Sequence, residues 1–205
     1  MSYTFSEQAA QRVEKFFETQ LRYVEGAKAG QPFLLEEWQR KIVRDLFGWL
    51  REDGTRRYRI AYIEVPRKNG KSTFAAGIAL YLLLCDREER PQVYSCAGDR
   101  EQAGIVFRAA REMVSGGTPS LQAEAELRQY EIRGTRRGGW YAATSAEAYS
   151  AHGKSPHGII FDELHVQKTR LLWDAMLSGR GARRQPLVAA ITTAGHDRSS
   201  ICWEM

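Results

Sequence analysis

Cysteine is scarce in this 205-residue chain: Cys85, Cys96 and Cys202 are odd in number and lack metal-ligand spacing. That excludes a disulfide framework and a cysteine-based zinc site, and fits buried or incidental thiols in a reducing compartment. Long apolar runs are missing too. The longest, Ile78 to Cys85, falls well short of the ~18 residues a membrane span needs, so no membrane association is expected. The N-terminus has no basic stretch leading into an apolar core, so no secretory signal is read there. No internal repeat and no low-complexity tract occurs. Neither sign of charge dominates: 30 Lys and Arg against 25 Asp and Glu give a net +5. Such a balance is compatible with a nucleic-acid partner without requiring one, and on charge alone a solvated surface with a modest Lys and Arg excess is the preferred reading.

What is present is organised around Val65-Pro66-Arg67-Lys68-Asn69-Gly70-Lys71-Ser72-Thr73. The apolar-rich run 58–65 before it reads as a strand, and 74–84 after it reads as a helix. A strand, a short polar loop with Gly-Lys-Ser and a helix are the context of a phosphate-binding P-loop. The start of a helix presents unpaired backbone N–H groups and the positive end of the macrodipole. A lysine there adds a point charge for the β- and γ-phosphates, and the neighbouring hydroxyl can hold Mg²⁺. The general pattern asks for Gly at position 65, where this chain has Val65.

Elsewhere the apolar spacing predicts helices over 6–26, capped by Ser6, and over 36–50, 100–114, 121–127 and 169–177. Strands are expected over 92–96, 158–162 and 187–193. A hairpin is expected with arms 129–132 and 139–143 and the basic tip Arg133 to Gly138. Residues 145–156 read as a loop, and 178–184 as a basic, glycine-containing loop. Alternating strands and helices argue for an α/β domain with a mainly parallel sheet flanked by helices. Ligands in such sheets sit at the carboxyl ends of strands.

Two further elements end strands there. Gly158-Ile159-Ile160-Phe161-Asp162-Glu163 is an apolar strand closed by two carboxylates, the form of a Walker B element. The first carboxylate can orient water on Mg²⁺ and the second can polarise an attacking water. A strand end followed by an acidic helix cap has the same form. Thr192-Thr193-Ala194-Gly195 closes another strand, where hydroxyls can reach a γ-phosphate or serve as ordinary turn residues.

These stretches, taken with Gly30 to Leu35, Trp38-Gln39, Cys96-Ala97-Gly98-Asp99-Arg100-Glu101-Gln102-Ala103, Asp162-Glu163-Leu164-His165 and Pro186-Leu187, follow one order along nearly the whole chain. In that order the chain resembles the N-terminal ATPase region of the large terminase subunit of tailed bacteriophages, the DNA-packaging motor. That family commonly lacks the first P-loop glycine. The resemblance implies a P-loop NTPase fold of the ASCE, RecA-like kind, with ATP and Mg²⁺ as cofactors. It implies that Lys71 and the backbone of Asn69, Gly70 and Ser72 hold the phosphates, within a nucleotide-binding loop that includes Arg67, Lys68 and Thr73. Ser72 and Asp162 would hold Mg²⁺, and Glu163 would be the catalytic carboxylate. Gln39 matches the glutamine that reads adenine. Arg67 matches an arginine that stabilises transition-state charge, and a surface or DNA-facing role stands beside that. Thr192, Thr193 and Gly195 match the motif that couples hydrolysis to DNA movement. His165 reads as a neighbour that positions Glu163 or packs.

By the same resemblance the partners are double-stranded DNA, further copies in a ring, a portal protein and a small terminase subunit. The place is the cytoplasm of a bacterial host, for a phage or prophage protein. Residues 1–30 are expected as an N-terminal helix and 31–205 as the ATPase domain, shortened at its C-terminal end and without the family's nuclease domain. Arg180, Arg183 and Arg184 are a second source for an arginine acting on a neighbouring copy, a DNA contact, or a solvated cluster. Two other functions fit parts of the pattern. Asp162-Glu163-Leu164-His165 fits the D-E-x-H box of a superfamily-2 helicase, although Thr-Thr-Ala-Gly stands where such helicases carry a Ser-Ala-Thr-type motif. A non-catalytic docking module that retains a P-loop is the other.

Overall fold

The computed structural model describes residues 2–145, 154–166, 170–193 and 201–204. Two short strands, β1 (Tyr3–Phe5) and β2 (Trp49–Arg51), pair antiparallel and bracket α1 (Glu7–Lys15) and α2 (Glu37–Gly48). Next come β3 (Ile60–Glu64), α3 (Lys71–Leu84), β4 (Gln92–Ala97), α4 (Arg100–Ser115) and α5 (Pro119–Glu124). They are followed by β5 (Ala125–Leu127), β6 (Ile132–Gly134), β7 (Trp140–Ser145) and β8 (Gly158–Asp162). The chain continues through α6 (Leu171–Ser178), β9 (Leu187–Thr192) and α7 (Ile201–Glu204).

Seven strands form one sheet in the order β3-β9-β8-β4-β7-β6-β5. The first five run parallel, and β6 and β5 extend the sheet antiparallel. The strands carry apolar side chains on both faces, as buried parallel strands must. Along β9, Leu187, Ala189 and Ile191 face the larger core, while Val188 and Ala190 face a second core beneath α6 and α7. The α/β architecture with a mainly parallel sheet is therefore as the sequence pattern predicts.

Helix α3 lies at the centre of the larger core. Every residue from Phe74 to Leu84 is buried, so the helix is apolar all round and needs cover on every side. The sheet and α4 supply part of that cover. The N-terminal layer supplies the rest: Phe17 and Trp38 meet Phe74, and Phe16 and Phe47 meet Tyr81. Gly77 permits the close approach, since a Cβ there would lie 2.3 Å from the Phe17 ring.

The N-terminal layer differs from its expected form. In place of one helix over 6–26, α1 passes into a π turn at Phe16–Gln20, and Leu21 is extended. The widened turn lets two consecutive residues, Phe16 and Phe17, both bury. Tyr23 then lies in a loop, its N–H bonded to the Gln31 carbonyl at 3.0 Å. Helix α2 stops at Gly48 because Trp49 and Leu50 pair with β1. The helix expected over 121–127 divides into α5 and β5, whose residues join the sheet edge. The hairpin is present, with arms β6 and β7, so Arg133 and Gly134 belong to a strand rather than the tip.

At the N-terminal ends of the strands a buried polar cluster joins α3 to β8 and β9. Asp86 follows α3, and both its oxygens accept from Arg56 Nη1; His157 Nε2 lies 2.6 Å from Oδ2. Gln185 accepts the Arg56 N–H at 3.2 Å and receives Arg56 Nη2 on its carbonyl. Arg183 is held by the carbonyls of Ser155, Glu89 and Arg90 and by Glu88, which makes it a brace within the fold. Burial alone would push the Asp86 carboxyl up, but Arg56 and His157 outweigh it and hold it below the usual carboxylate range.

A carboxyl with a lowered folded pKa contributes stability that is complete above its unfolded value near 4 and is lost as pH falls through the folded value. Asp86→Asn leaves a buried guanidinium without its counter-charge. We expect it to cost roughly 3–5 kcal/mol in thermal or urea unfolding near neutral pH. The variant should also show less loss of stability below about pH 4 than wild type does.

Candidate nucleotide-binding site

The parallel register brings the ends of β3, β8 and β9 together. Glu64 stands opposite Thr192, and Asp162 opposite Ile191. The loop after β3 is tied to β9 by the Val65 N–H on the Thr192 carbonyl at 3.0 Å. Lys68 and Gly70 take left-handed backbone angles, φ +67° at each, to turn the chain into α3. No side chain caps α3 at Gly70, so the N–H groups of its first turn have no partner within the helix.

Lys71 is the first residue of α3 and is only 6% exposed. Its Nζ lies 3.6 Å from Glu163 Oε1. The Ser72 hydroxyl donates to Asp162 Oδ2 at 2.9 Å, while Asp162 Oδ1 is buried with no partner. Burial pushes the Asp162 carboxyl up, and the Glu163 charge adds to that; the Ser72 hydroxyl and Lys71 oppose it. An orphaned, desolvated carboxylate oxygen beside a hydroxyl suits a hard divalent cation with oxygen ligands. Among the described residues no group of three or more His, Cys, Asp or Glu could hold a metal, so such an ion would take its remaining ligands from phosphate and water.

Glu163 sits at φ +51°, a left-handed conformation that costs a non-glycine residue about 1–3 kcal/mol. Surrounding groups hold it there. Its N–H bonds the Ile191 carbonyl at 2.9 Å, and Oε2 lies 3.3 Å from the Thr193 hydroxyl and 3.1 Å from His165 Nδ1. The same nitrogen lies 2.9 Å from Thr192 Oγ1, whose oxygen also accepts the His165 N–H at 3.3 Å. Thr192 in turn donates to the Thr193 carbonyl at 3.0 Å. The second carboxylate of β8 and the threonines of β9 thus form one network through His165.

Beside the loop lies a cavity of about 610 Å³, lined by Gln39 of α2, by Tyr23, Phe33 and Trp38, and by Lys68, Asn69, Gly70 and Thr73. Gln39 is 4% exposed, and its Oε1 accepts the Glu36 N–H at 3.0 Å in a capping box. That contact fixes the amide and leaves Nε2 as a donor for the cavity. The structure therefore brings Gln39, Lys68, Asn69, Gly70, Lys71, Ser72, Thr73, Asp162, Glu163, Thr192 and Thr193 to one end of the sheet. Arg67 stands exposed in the loop, and among the described residues it makes no ion pair. Gly195 lies outside the described residues. Sequence reasoning missed the aromatic wall of Tyr23 and Phe33, stacked at 4.6 Å and 26°, because Tyr23 fell within an expected helix.

Comparison with known proteins decides the family. Residues 37–205 match the model for the terminase large subunit, ATPase domain. The chain belongs to that family. It is 32% identical over 188 residues to the large terminase subunit of Enterobacteria phage HK97, covering 89% of this chain and 36% of that protein. A stretch of 52 residues, 25% of this chain and 11% of the relative, is 50% identical to the protein YmfN of Escherichia coli K12. The crystal structure of the HK97 large terminase superposes with a TM-score of 0.80 at 30% identity, covering 93% of this chain and 39% of that one. The ATPase domain of the large terminase from Thermus phage P74-26, in an arginine-to-alanine mutant, shares the fold at a TM-score of 0.56 and 18% identity, over 71% of this chain and 63% of that one. This chain thus spans little more than a third of the HK97 protein's length.

Lys71→Ala removes the buried side-chain cation beside Glu163 and leaves α3's backbone in place. We expect binding of a fluorescent ATP analogue to become undetectable at concentrations that saturate wild type; unchanged affinity would disprove phosphate binding at this loop.

Proposed function

We propose that this ATPase domain hydrolyses ATP to drive double-stranded DNA into a phage procapsid. The observation that carries the reading is the Ser72–Asp162 contact with an orphaned Asp162 oxygen, directly beside Lys71 and Glu163. The free N–H groups at the start of α3, with Lys71, hold the β- and γ-phosphates. Ser72 and Asp162 hold Mg²⁺, which when bound neutralises charge developing on the phosphate oxygens. Gln39 and the aromatic cavity receive the base. Glu163 takes a proton from the water that attacks the γ-phosphate in line, and Lys71 moves from the carboxylate to the phosphate as nucleotide enters.

Arg67 is suited by its exposure to meet the γ-phosphate of its own or a neighbouring site, which fits a ring of copies. Such an arginine is worth about 10³–10⁵ in rate, so isolated subunits would turn over slowly. Thr192 and Thr193, with Gly195 beyond them, carry the state of the γ-phosphate into β9. DNA, a portal protein and a small terminase subunit complete the assembly, in the cytoplasm of a bacterial host. Among the described residues no helix is long and apolar enough to cross a membrane. A helicase or a passive docking module has no specific structural observation in its favour.

The test is Mg²⁺-dependent ATP hydrolysis measured against protein concentration, with and without duplex DNA. The rate per subunit should rise with concentration, and Glu163→Gln should keep nucleotide affinity while losing about 10²–10⁴ in turnover. Wild-type turnover in that variant would make the carboxylate structural. His165→Ala, which frees Glu163 and Thr192 from each other, should lower kcat by up to about 10² with little change in KM.

A further inference from the structure

We propose that an arginine-lined groove at the opposite end of the sheet from the nucleotide site binds the sugar-phosphate backbone of duplex DNA. Only the choice of duplex DNA as the polyanion rests on the packaging reading; the groove itself is argued from its residues. It consists of two adjoining cavities, about 290 and 540 Å³, that share Arg12, Cys85 and Arg87 along the end of α3. Every basic side chain lining them is arginine: Arg12, Arg56, Arg87, Arg136, Arg137 and Arg184. The planar guanidinium fork grips phosphate oxygens in pairs, which an ammonium cannot do.

Three carboxylates line the same cavities, and each already has a partner. Asp86 is held by Arg56 and His157, Glu88 by Arg183 and Glu89 by Arg137. Arg136 pairs with Glu124 outside the groove. Arg12 and Arg87 have no carboxylate partner among the described residues. The Arg184 side chain donates to the Asp53 carbonyl at 2.8 Å and lies in the field of the Asp53 carboxylate without pairing with it directly. Two unpaired guanidinium groups and a third that is only partly compensated therefore border one channel. Arg87 holds its place at φ +62°, an uncommon conformation for a residue of its kind.

The channel offers little apolar surface to a partner. Of its large apolar side chains, Phe47, Tyr81 and Leu84 are buried in the core, and Leu50 alone among them is half-buried. A protein partner normally seats an aromatic or aliphatic side chain in a pocket, whereas a nucleic-acid backbone is held by charge alone. Two cavities in series suit a repeating polyanion better than one small anion. Helix α3, with 14 residues from Lys71 to Leu84, spans about 20 Å and joins the phosphate loop directly to this groove.

The test uses the whole chain and a fluorescent 30-base-pair duplex, titrated between 50 and 200 mM NaCl, beside a fluorescent ATP analogue. The variant carries Arg12→Gln, Arg87→Asn and Arg184→Gln; Asn suits the left-handed backbone at 87, so folding is preserved. A single Arg87→Glu chain serves as a second, milder change. The triple variant should bind duplex at least tenfold more weakly at the lowest salt. Its salt slope should fall by about 2–3, close to 0.9 for each phosphate that is no longer neutralised. Nucleotide affinity should stay within twofold, and Arg87→Glu should show a smaller loss of the same kind.

Equal DNA affinity and slope in wild type and the triple variant would overturn the groove assignment and leave the ATPase reading intact. Absence of any duplex binding by wild type, with nucleotide binding retained, would overturn it as well. Tighter binding of poly-glutamate than of duplex would overturn the choice of DNA and assign the groove to an acidic protein segment. Failure of wild type to bind nucleotide is the distinct result that would sink the ATPase reading itself.

Discussion

The burial of α3 on all sides constrains everything else. A helix with an apolar body cannot sit at the surface, so it must lie under the sheet with a second helical layer over it. Once it does, its first turn emerges at the carboxyl ends of the parallel strands, and its N–H groups have no side-chain cap among the described residues. Lys71 is carried into a pocket of carboxylates by the same placement. The loop that leads into α3 is less an added motif than the exposed end of the most buried element. Phe16, Phe17 and Phe47 contribute to the site from a distance, by fixing where α3 begins, and Trp38 does so while lining the cavity itself.

Strain and pairing at Glu163 follow from the register. Asp162 closes β8 opposite Ile191, and the next residue must turn out of the sheet while its N–H still bonds β9. That turn is left-handed, and the strain is tolerated because Lys71, Thr193 and His165 all engage the carboxylate. The Glu163 carboxylate and a phosphate are alternative partners for the Lys71 charge. A ligand that draws Lys71 away would weaken one restraint on a strained residue and leave those that come from β9. The position of Glu163 would then depend more on Thr192 and Thr193, a physical route by which the nucleotide and the last strand can sense each other.

How much of this was legible from the sequence depends on the range of the interactions. The Gly-Lys-Ser loop, the apolar run to Asp162-Glu163 and the strand to Thr192 were readable because each is a local pattern with its own punctuation. Their convergence was inferable from the rule that parallel strands place ligands at their carboxyl ends. The π turn was not readable, since the apolar positions Phe16, Phe17, Leu21 and Val24 fit a regular helix and only packing on Gly77 favours widening it. The three-residue strands β1, β2 and β5 are too short to carry a period. The cluster of Arg56, Asp86, His157 and Gln185 joins residues as far as 129 positions apart, and no local pattern announces it. The basic stretch 180–184 was visible, but only the fold reveals that Arg183 is a brace while Arg184 remains available.

The two ends of α3 have opposite electrostatic problems. At its start, Lys71 stands beside the half-buried Glu163 carboxylate, and the buried Asp162 next to it lacks a partner for one oxygen. At its end, Asp86 is consumed by Arg56 and His157, and the arginines around it outnumber the acids that could neutralise them. Each end lacks a counter-charge that the chain does not supply. A cation with phosphate answers the first, and a polyanion answers the second. A close-packed helix joins them, and close-packed interiors transmit strain. On that geometry, coupling of nucleotide state to a bound polyanion needs no moving loop, only a small displacement of α3 along its own axis within the layers that enclose it.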